Sequence, residues 1–194
     1  MIRAIQLILF PFREWEKIVA ANRGIAATLF LSLLPLIVIA SAIEGYSLAQ
    51  FGLKRGEFGH VVTIPTAVAI QFEISQGVLN LATIFLSAWL LRAIALSFQV
   101  HPSYTQCFTA AAYGYSPIFL AQMLDAVPVI NTWVCWAIGA ALSMSVLYHG
   151  VALALKPDQT KGFGMYMLTA MLIIVFSGLV HLLSVFLLTG NLLR

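Results

Sequence analysis

The sequence predicts an all-α, polytopic membrane protein: a bundle of five transmembrane helices preceded by a short N-terminal interfacial amphipathic segment. Three observations predict it. Hydrophobic residues make up 61% of the 194-residue chain and charged residues only 9%, where a soluble domain carries about a quarter charged. Five apolar stretches are each long enough to cross hydrocarbon about 30 Å thick, which takes roughly 20 helical residues. Nearly every charged residue lies between those stretches or at their edges. No water-soluble surface can be built from this composition. The net charge of +3 is spread along the chain, unlike the clustered basic stripe of a nucleic-acid-binding protein.

Residues 1–23 form the lead-in and residues 24–194 the transmembrane domain. Residues 5–10 resemble a signal-peptide core. Pro11, Arg13, Glu14, Glu16 and Lys17 follow with no small-x-small cleavage site, so the segment is expected to be retained. Ile5, Leu9, Phe12, Trp15 and Val19 recur at spacings of three or four with the charges offset from them, which suits a helix lying in the interface. Pro11 should break or bend it. Phe12, Arg13, Trp15 and Lys17 are the candidate contacts with a partner or with lipid; the alternative is a cover over the inner end of the bundle.

The first span, 24–43, is uncharged and closed by Glu44, with Pro35 in its middle. Residues 44–73 make the one sizeable polar connection. Within it, Val68, Ile70, Phe72 and Ile74 alternate with Ala69, Gln71 and Glu73, which favours a short extended segment. That loop is read either as a docking edge or as a lid. The second span covers 74–92, the third 106–124, the fourth 130–155 and the fifth 165–190. A tight connection holding Pro128 joins the third to the fourth, and the polar loop 156–162 joins the fourth to the fifth.

Lysine and arginine set the orientation, because positive loops stay in the cytoplasm. Arg3, Arg13, Lys17, Arg23, Arg92, Lys156 and Lys161 fall on one side, and Lys54, Arg55 and Arg194 on the other. The N-terminus is therefore expected in the cytoplasm and the C-terminus outside it. Aromatic residues, which collect at headgroup level, agree: Trp15, Trp89, Tyr104, Tyr148 and Tyr166 fall at expected cytoplasmic ends, and Tyr46, Trp133 and Trp136 at the opposite ends.

Depth limits the chemistry. His149 and His181 differ in depth by roughly 15 Å, so they cannot share a zinc ion, whose ligands lie about 2 Å away. Each is a candidate intramembrane functional group, the alternative being a neutral imidazole bonded to a neighbouring helix. Cys107 and Cys135 lie roughly a membrane apart, beyond disulfide reach. Arg92 reads as a snorkelling anchor. Glu44, Glu73 and Asp125 mark span ends, leaving no acid inside a span, which argues against transport. No hydrolase, metalloprotease or phosphate-loop pattern is present in the sequence. The expectation is a protein with no catalytic residue, no cofactor, no metal and no small-molecule substrate.

Small residues carry packing information. Ala137, Ala141 and Ser145 form one ridge on the fourth span, Gly139 and Ser143 another, and Ala110 with Gly114 a third on the third span. Such residues let helix backbones approach in lipid. Gly114, Pro117, Ala137, Gly139, Ala141 and Ser143 are the candidate packing positions, either within one bundle or at an oligomer face.

Two segments carry a resemblance. The start, Leu7 through Ile18 with Pro11 and Trp15 in a Pro-x-x-x-Trp pattern, resembles the opening of bacterial members of the Yip (Ypt-interacting protein) domain family. Tyr113-Gly114-Tyr115-Ser116-Pro117 is similar to that family's Gly-Tyr-x-x-x-Pro element, with a closer Gly-to-Pro spacing. The resemblance covers essentially the whole chain. It implies five spans, a cytoplasmic N-terminus and a non-enzymatic protein acting through other integral membrane proteins in a bacterial cytoplasmic membrane, the alternative location being an ER or Golgi membrane. Eukaryotic relatives bear a longer N-terminal region linked to Rab GTPases; this chain has 23 residues there, so Rab binding is not carried over. The functional expectation is a scaffold, adaptor or accessory subunit of a membrane assembly; the alternative is a small transporter or channel.

Overall fold

The structure is a computed structural model describing residues 2–55, 60–62, 64–127 and 130–191. Glu57, Pro128 and Arg194 lie outside the described residues. The lead-in is two helices, α1 (Ile2–Leu9) and α2 (Pro11–Ala21), because Pro11 can occupy the first turn of a helix but cannot continue one. That break splits the predicted stripe. Ile5, Leu9 and Phe12 point outward, whereas Trp15 is fully buried, with Leu7 and Ile18 beside it.

The first span is a 27-residue rod, Ile25–Phe51, made of α3 (Ile25–Thr28), a π-helical stretch (Leu29–Leu33) and α4 (Leu34–Phe51). Pro35 explains the π stretch. Its ring crowds the carbonyl four residues back and has no N–H to offer it, and the chain widens there so that Leu34 N–H bonds Leu29 O instead. Gly52, at φ 65°, turns the chain into the antiparallel hairpin β1 (Leu53–Arg55) and β2 (His60–Val62).

Next comes α5 (Thr66–Ser97), 32 residues long. The extended segment expected from alternation at 68–74 is therefore helix; among the described residues of that loop, 53–55 and 60–62 are strand. Pro65 before the first turn starts the helix, and Ala69 and Phe72 then pack with Ile64 against the end of the rod. The helix α6 (Tyr104–Gln122) starts at a capping box of Ser103 and Gln106, and a 3₁₀ turn (Met123–Ala126) follows it. The last two helices are α7 (Thr132–Leu155), capped by Asn131, and α8 (Gln159–Asn191). Lys156, at φ 49°, makes the turn between them, so the loop predicted for 156–162 shrinks to three residues.

Among the described residues four helices are long and apolar enough to cross a membrane: Ile25–Phe51, Thr66–Ser97, Thr132–Leu155 and Thr160–Leu187. Where five were expected, the third span, 106–124, falls on α6, which is not among these four. This helix holds three Tyr or Ser side chains in the run 113–116 and two Gln elsewhere, and it affords them because it is the axis of the bundle. Thirteen of its nineteen residues are buried, and it packs against α1, α4, α5, α7 and α8. The other helices turn side chains such as Phe30, Val38, Ile74, Val78, Leu179 and Phe186 outward, as lipid requires.

Residues 113–117 tie the axis to its neighbours. Tyr113 stacks edge-on against Trp15 with ring centroids 5.8 Å apart, and its hydroxyl lies 3.1 Å from that of Ser32. Tyr115 pairs with the Ser87 hydroxyl of α5 at 2.9 Å. A Cβ on Gly114 would come within 2.8 Å of Leu147 and Ile173, so glycine lets α7 and α8 close in. Pro117 deprives the Tyr113 carbonyl of its helical partner, and the Ser116 hydroxyl donates to that carbonyl at 2.7 Å. Ser143 of α7 donates to the Gly114 carbonyl. Helix breaking is tolerated in lipid when freed backbone groups are satisfied in this way.

Gly139 stands against backbone, because its Cβ would lie 2.8 Å from Ile118 Cα. Gly139→Ala should therefore lower stability in detergent by about 1–3 kcal/mol. Gly77→Ala, whose new methyl would meet Ile37 at 3.8 Å, should be neutral or stabilising through helix propensity. Thermal unfolding of both variants checks the contrast; equal losses would contradict the packing described.

Candidate functional site

The hairpin end of the bundle holds a polar cluster that the predicted span boundaries obscure. Glu44 does not close the first helix, which runs on to Phe51, and Glu73 lies seven residues inside α5. Both acids thus lie within helices long and apolar enough to cross a membrane, and the expectation that they mark helix ends is corrected. Longer helices also explain the spacing of the polar residues. Ser41, Glu44 and Ser47 recur every three residues on α4, and Glu73, Gln76 and Asn80 recur at three and four on α5. That stripe was legible in the sequence once Pro65 is taken as the start of the helix.

The Gln122 amide of α6 donates to the Glu44 carboxylate, and the Gln76 amide also approaches it. Glu73 folds over Gly45, where a Cβ would lie 2.8 Å from its Cγ. Glu73 is only 8% exposed. Neither of its carboxylate oxygens has a well-formed hydrogen bond among the described residues, although the Ser41 hydroxyl approaches. On the other side, Thr132 donates to Asp125 Oδ2 at 3.0 Å and lies 3.4 Å from His181 Nε2. The His181 ring meets Trp133 edge-on at 4.6 Å, and the Trp136 indole donates to Ser177 at 3.2 Å.

Between these groups is a cavity lined by Gln76, Gln122, Asp125 and His181, with about 30 Å³ for the centres of water-sized molecules, room for about two waters. Among the described residues Gln76 Oε1 and Asp125 Oδ1 have no well-formed hydrogen bond, so the unmet groups here are acceptors. Burial raises the Asp125 pKa above the usual carboxylate range, opposed by hydrogen bonds from Cys135 and Thr132. Among the described residues, no three His, Cys, Asp or Glu side chains converge as a metal site would require.

The other predicted residues separate. Trp15, expected at a partner or lipid contact, is an internal anchor: its indole donates to the Val146 carbonyl at 2.9 Å and its ring fills the space over Gly150. Phe12, Arg13 and Lys17 are exposed, and Lys17 pairs with buried Glu14. His149 is half-buried between Phe12 and Tyr148, at the end of the bundle opposite His181. Cys107 and Cys135 are free and buried. The small-residue ridges divide as well: Gly139 and Ser143 face α6, whereas Ala137, Ala141 and Ser145 are exposed along the outer face of α7.

Helices with an apolar exterior around a polar-studded axis define a multi-pass integral membrane protein. More particularly, the chain belongs to the Yip1 domain family, whose model matches residues 5–182. That match takes in both segments that carried the resemblance. Comparison with curated proteins and with solved structures gives no significant match.

For Asp125, the raised folded-state pKa means that the folded protein holds the proton more tightly than the unfolded chain. Its contribution is present below the unfolded value, about 3.9, and is lost as pH rises through the folded value. Asp125→Asn should therefore reduce the fall in melting temperature between acidic and neutral pH. An unchanged pH slope would show that Asp125 is not desolvated.

Proposed function

We propose that this chain is a non-enzymatic scaffold, adaptor or accessory subunit that associates with other integral membrane proteins through helix faces. The observation that carries the reading is the outward ridge of Ala137, Ala141 and Ser145 at four-residue spacing on α7, flanked by exposed Trp133, Val134 and Ile138. Small residues at this spacing let a second helix approach closely enough for dispersion contacts to hold it in lipid, where no hydrophobic drive exists between helices. In this reading α6 is the fifth crossing, since nineteen residues rise about 28 Å. The lead-in and the basic connections face the cytoplasm, the C-terminus faces away, and the membrane is the bacterial cytoplasmic one.

A small transporter is the second reading, favoured by one observation: the acids Glu44 and Glu73 lie inside membrane helices with oxygens left unpartnered on Glu73. Intramembrane acids commonly mark ion or proton paths.

One preparation separates the two. Ala137→Leu and Ala141→Leu should abolish co-extraction of partner membrane proteins in mild detergent while leaving the melting temperature of the chain within a few degrees. Proteoliposomes of the parent should exchange no ion or proton faster than empty vesicles. Unchanged partner recovery in both variants contradicts the scaffold reading, and flux that Glu73→Gln removes establishes the transporter.

A further inference from the structure

At the opposite end of the bundle the unmet groups have the reverse character. Arg3 Nη1, on α1, is buried without a hydrogen-bond partner among the described residues. The same holds for Thr28 Oγ1, on a residue only 1% exposed. Both line one narrow cavity between α1, the membrane rod and α6, and its remaining polar walls are the hydroxyl-bearing residues Ser32, Tyr113 and Ser116. No carboxylate lines it. Of the lead-in acids, Glu14 is held by Lys17 and Glu16 is exposed, so neither neutralises the guanidinium.

A guanidinium N–H taken out of water without an acceptor carries the full cost of its lost hydration. The Ser32 and Tyr113 hydroxyls already pair with each other and Ser116 donates to the Tyr113 carbonyl, which leaves the Thr28 hydroxyl to donate beside Arg3, two donors awaiting an anionic oxygen. Its size narrows the choice. The space for the centres of water-sized molecules is about 10 Å³, room for a single oxygen rather than a whole oxyanion. A tetrahedral group lying outside can insert one oxygen and keep the rest in the headgroup layer.

Position then selects the source. Thr28 stands on the first turn of the rod that begins at Ile25, about 5 Å along it. The exposed side chains of α1 and the following turn, Ile5, Leu9 and Phe10, form an apolar surface suited to the boundary between headgroups and acyl chains. An anion reaching Arg3 from that boundary belongs to a lipid. We propose that Arg3 and Thr28 form a slot for one phosphate oxygen of a membrane phospholipid, docking the lead-in helix to the bundle through that lipid.

The test uses the full-length protein, purified in a nonionic detergent. Added dioleoylphosphatidylglycerol should raise the melting temperature. Dioleoylglycerol, which has the same chains without phosphate, should not, and neither should millimolar inorganic phosphate. Phospholipid retained through purification, measured as bound phosphorus, should fall about tenfold or more in Arg3→Met, the fold-change of losing a charge-assisted hydrogen bond. Thr28→Val keeps shape and charge, so it reads the slot even if Arg3→Met folds poorly, and it should reduce retention in the same direction. Equal stabilisation by the two lipids, or retention unchanged in both variants, overturns the proposal. Stabilisation by inorganic phosphate to the same extent as by lipid overturns the assignment of a lipid as the source.

Discussion

In hydrocarbon no backbone carbonyl can borrow a partner from water, so a proline inside a membrane helix demands that the protein supply one. The structure turns on how this demand is met at Pro117. The carbonyl that proline abandons is taken by Ser116, and the next carbonyl receives Ser143 from α7. Those hydroxyls need shelter from lipid, and shelter requires that α6 be enclosed. Around it, Tyr113 holds the lead-in and the rod, Gly114 admits α7 and α8, and Tyr115 holds α5. Five consecutive residues thereby specify which helix is central and what touches each of its faces.

Enclosure distributes the remaining polarity. Because α6 contributes little lipid-facing surface, it can be less apolar than its neighbours, which face both the axis and the bilayer. The polar groups not consumed along the axis collect at its two ends with opposite character. Among the described residues, acceptors on Glu73, Gln76 and Asp125 lack well-formed hydrogen bonds at the hairpin end, and a guanidinium donor on Arg3 lacks one at the lead-in end. Each side asks for a different class of visitor, a cation or proton on one and an anionic oxygen on the other.

The helical membrane class was legible because long unbroken apolar runs satisfy their backbone in lipid as helices, whereas barrel strands alternate over about ten residues. The family was legible from Pro11, Trp15 and residues 113–117, which are the positions where the lead-in and the axis lock together. Helix ends were not. Charged residues suggest boundaries, yet Glu44 and Glu73 sit inside helices because they face one another across a polar cleft rather than facing lipid, a relation that hydropathy does not encode. Alternation at 68–74 looked like strand, but in a helix the same residues divide between the interior, as Ala69 and Phe72 do, and lipid, as Ile70 and Ile74 do. Trp15 had the spacing of an interfacial residue. Its burial depends on Gly150, well over a hundred residues away, leaving space for the ring.

The part of the proposed reading most exposed to a direct measurement is that α6 crosses the bilayer as a fifth span while enclosed by the other helices. In a background where Cys107 and Cys135 are replaced by Ala, single cysteines at His101 and Ile130 flank the helix on exposed positions. A membrane-impermeant maleimide applied to intact cells should label Ile130→Cys at once and His101→Cys only after the membrane is opened. Labelling of both from the same side would contradict the account, leaving α6 as a helix that enters the bundle without traversing the membrane.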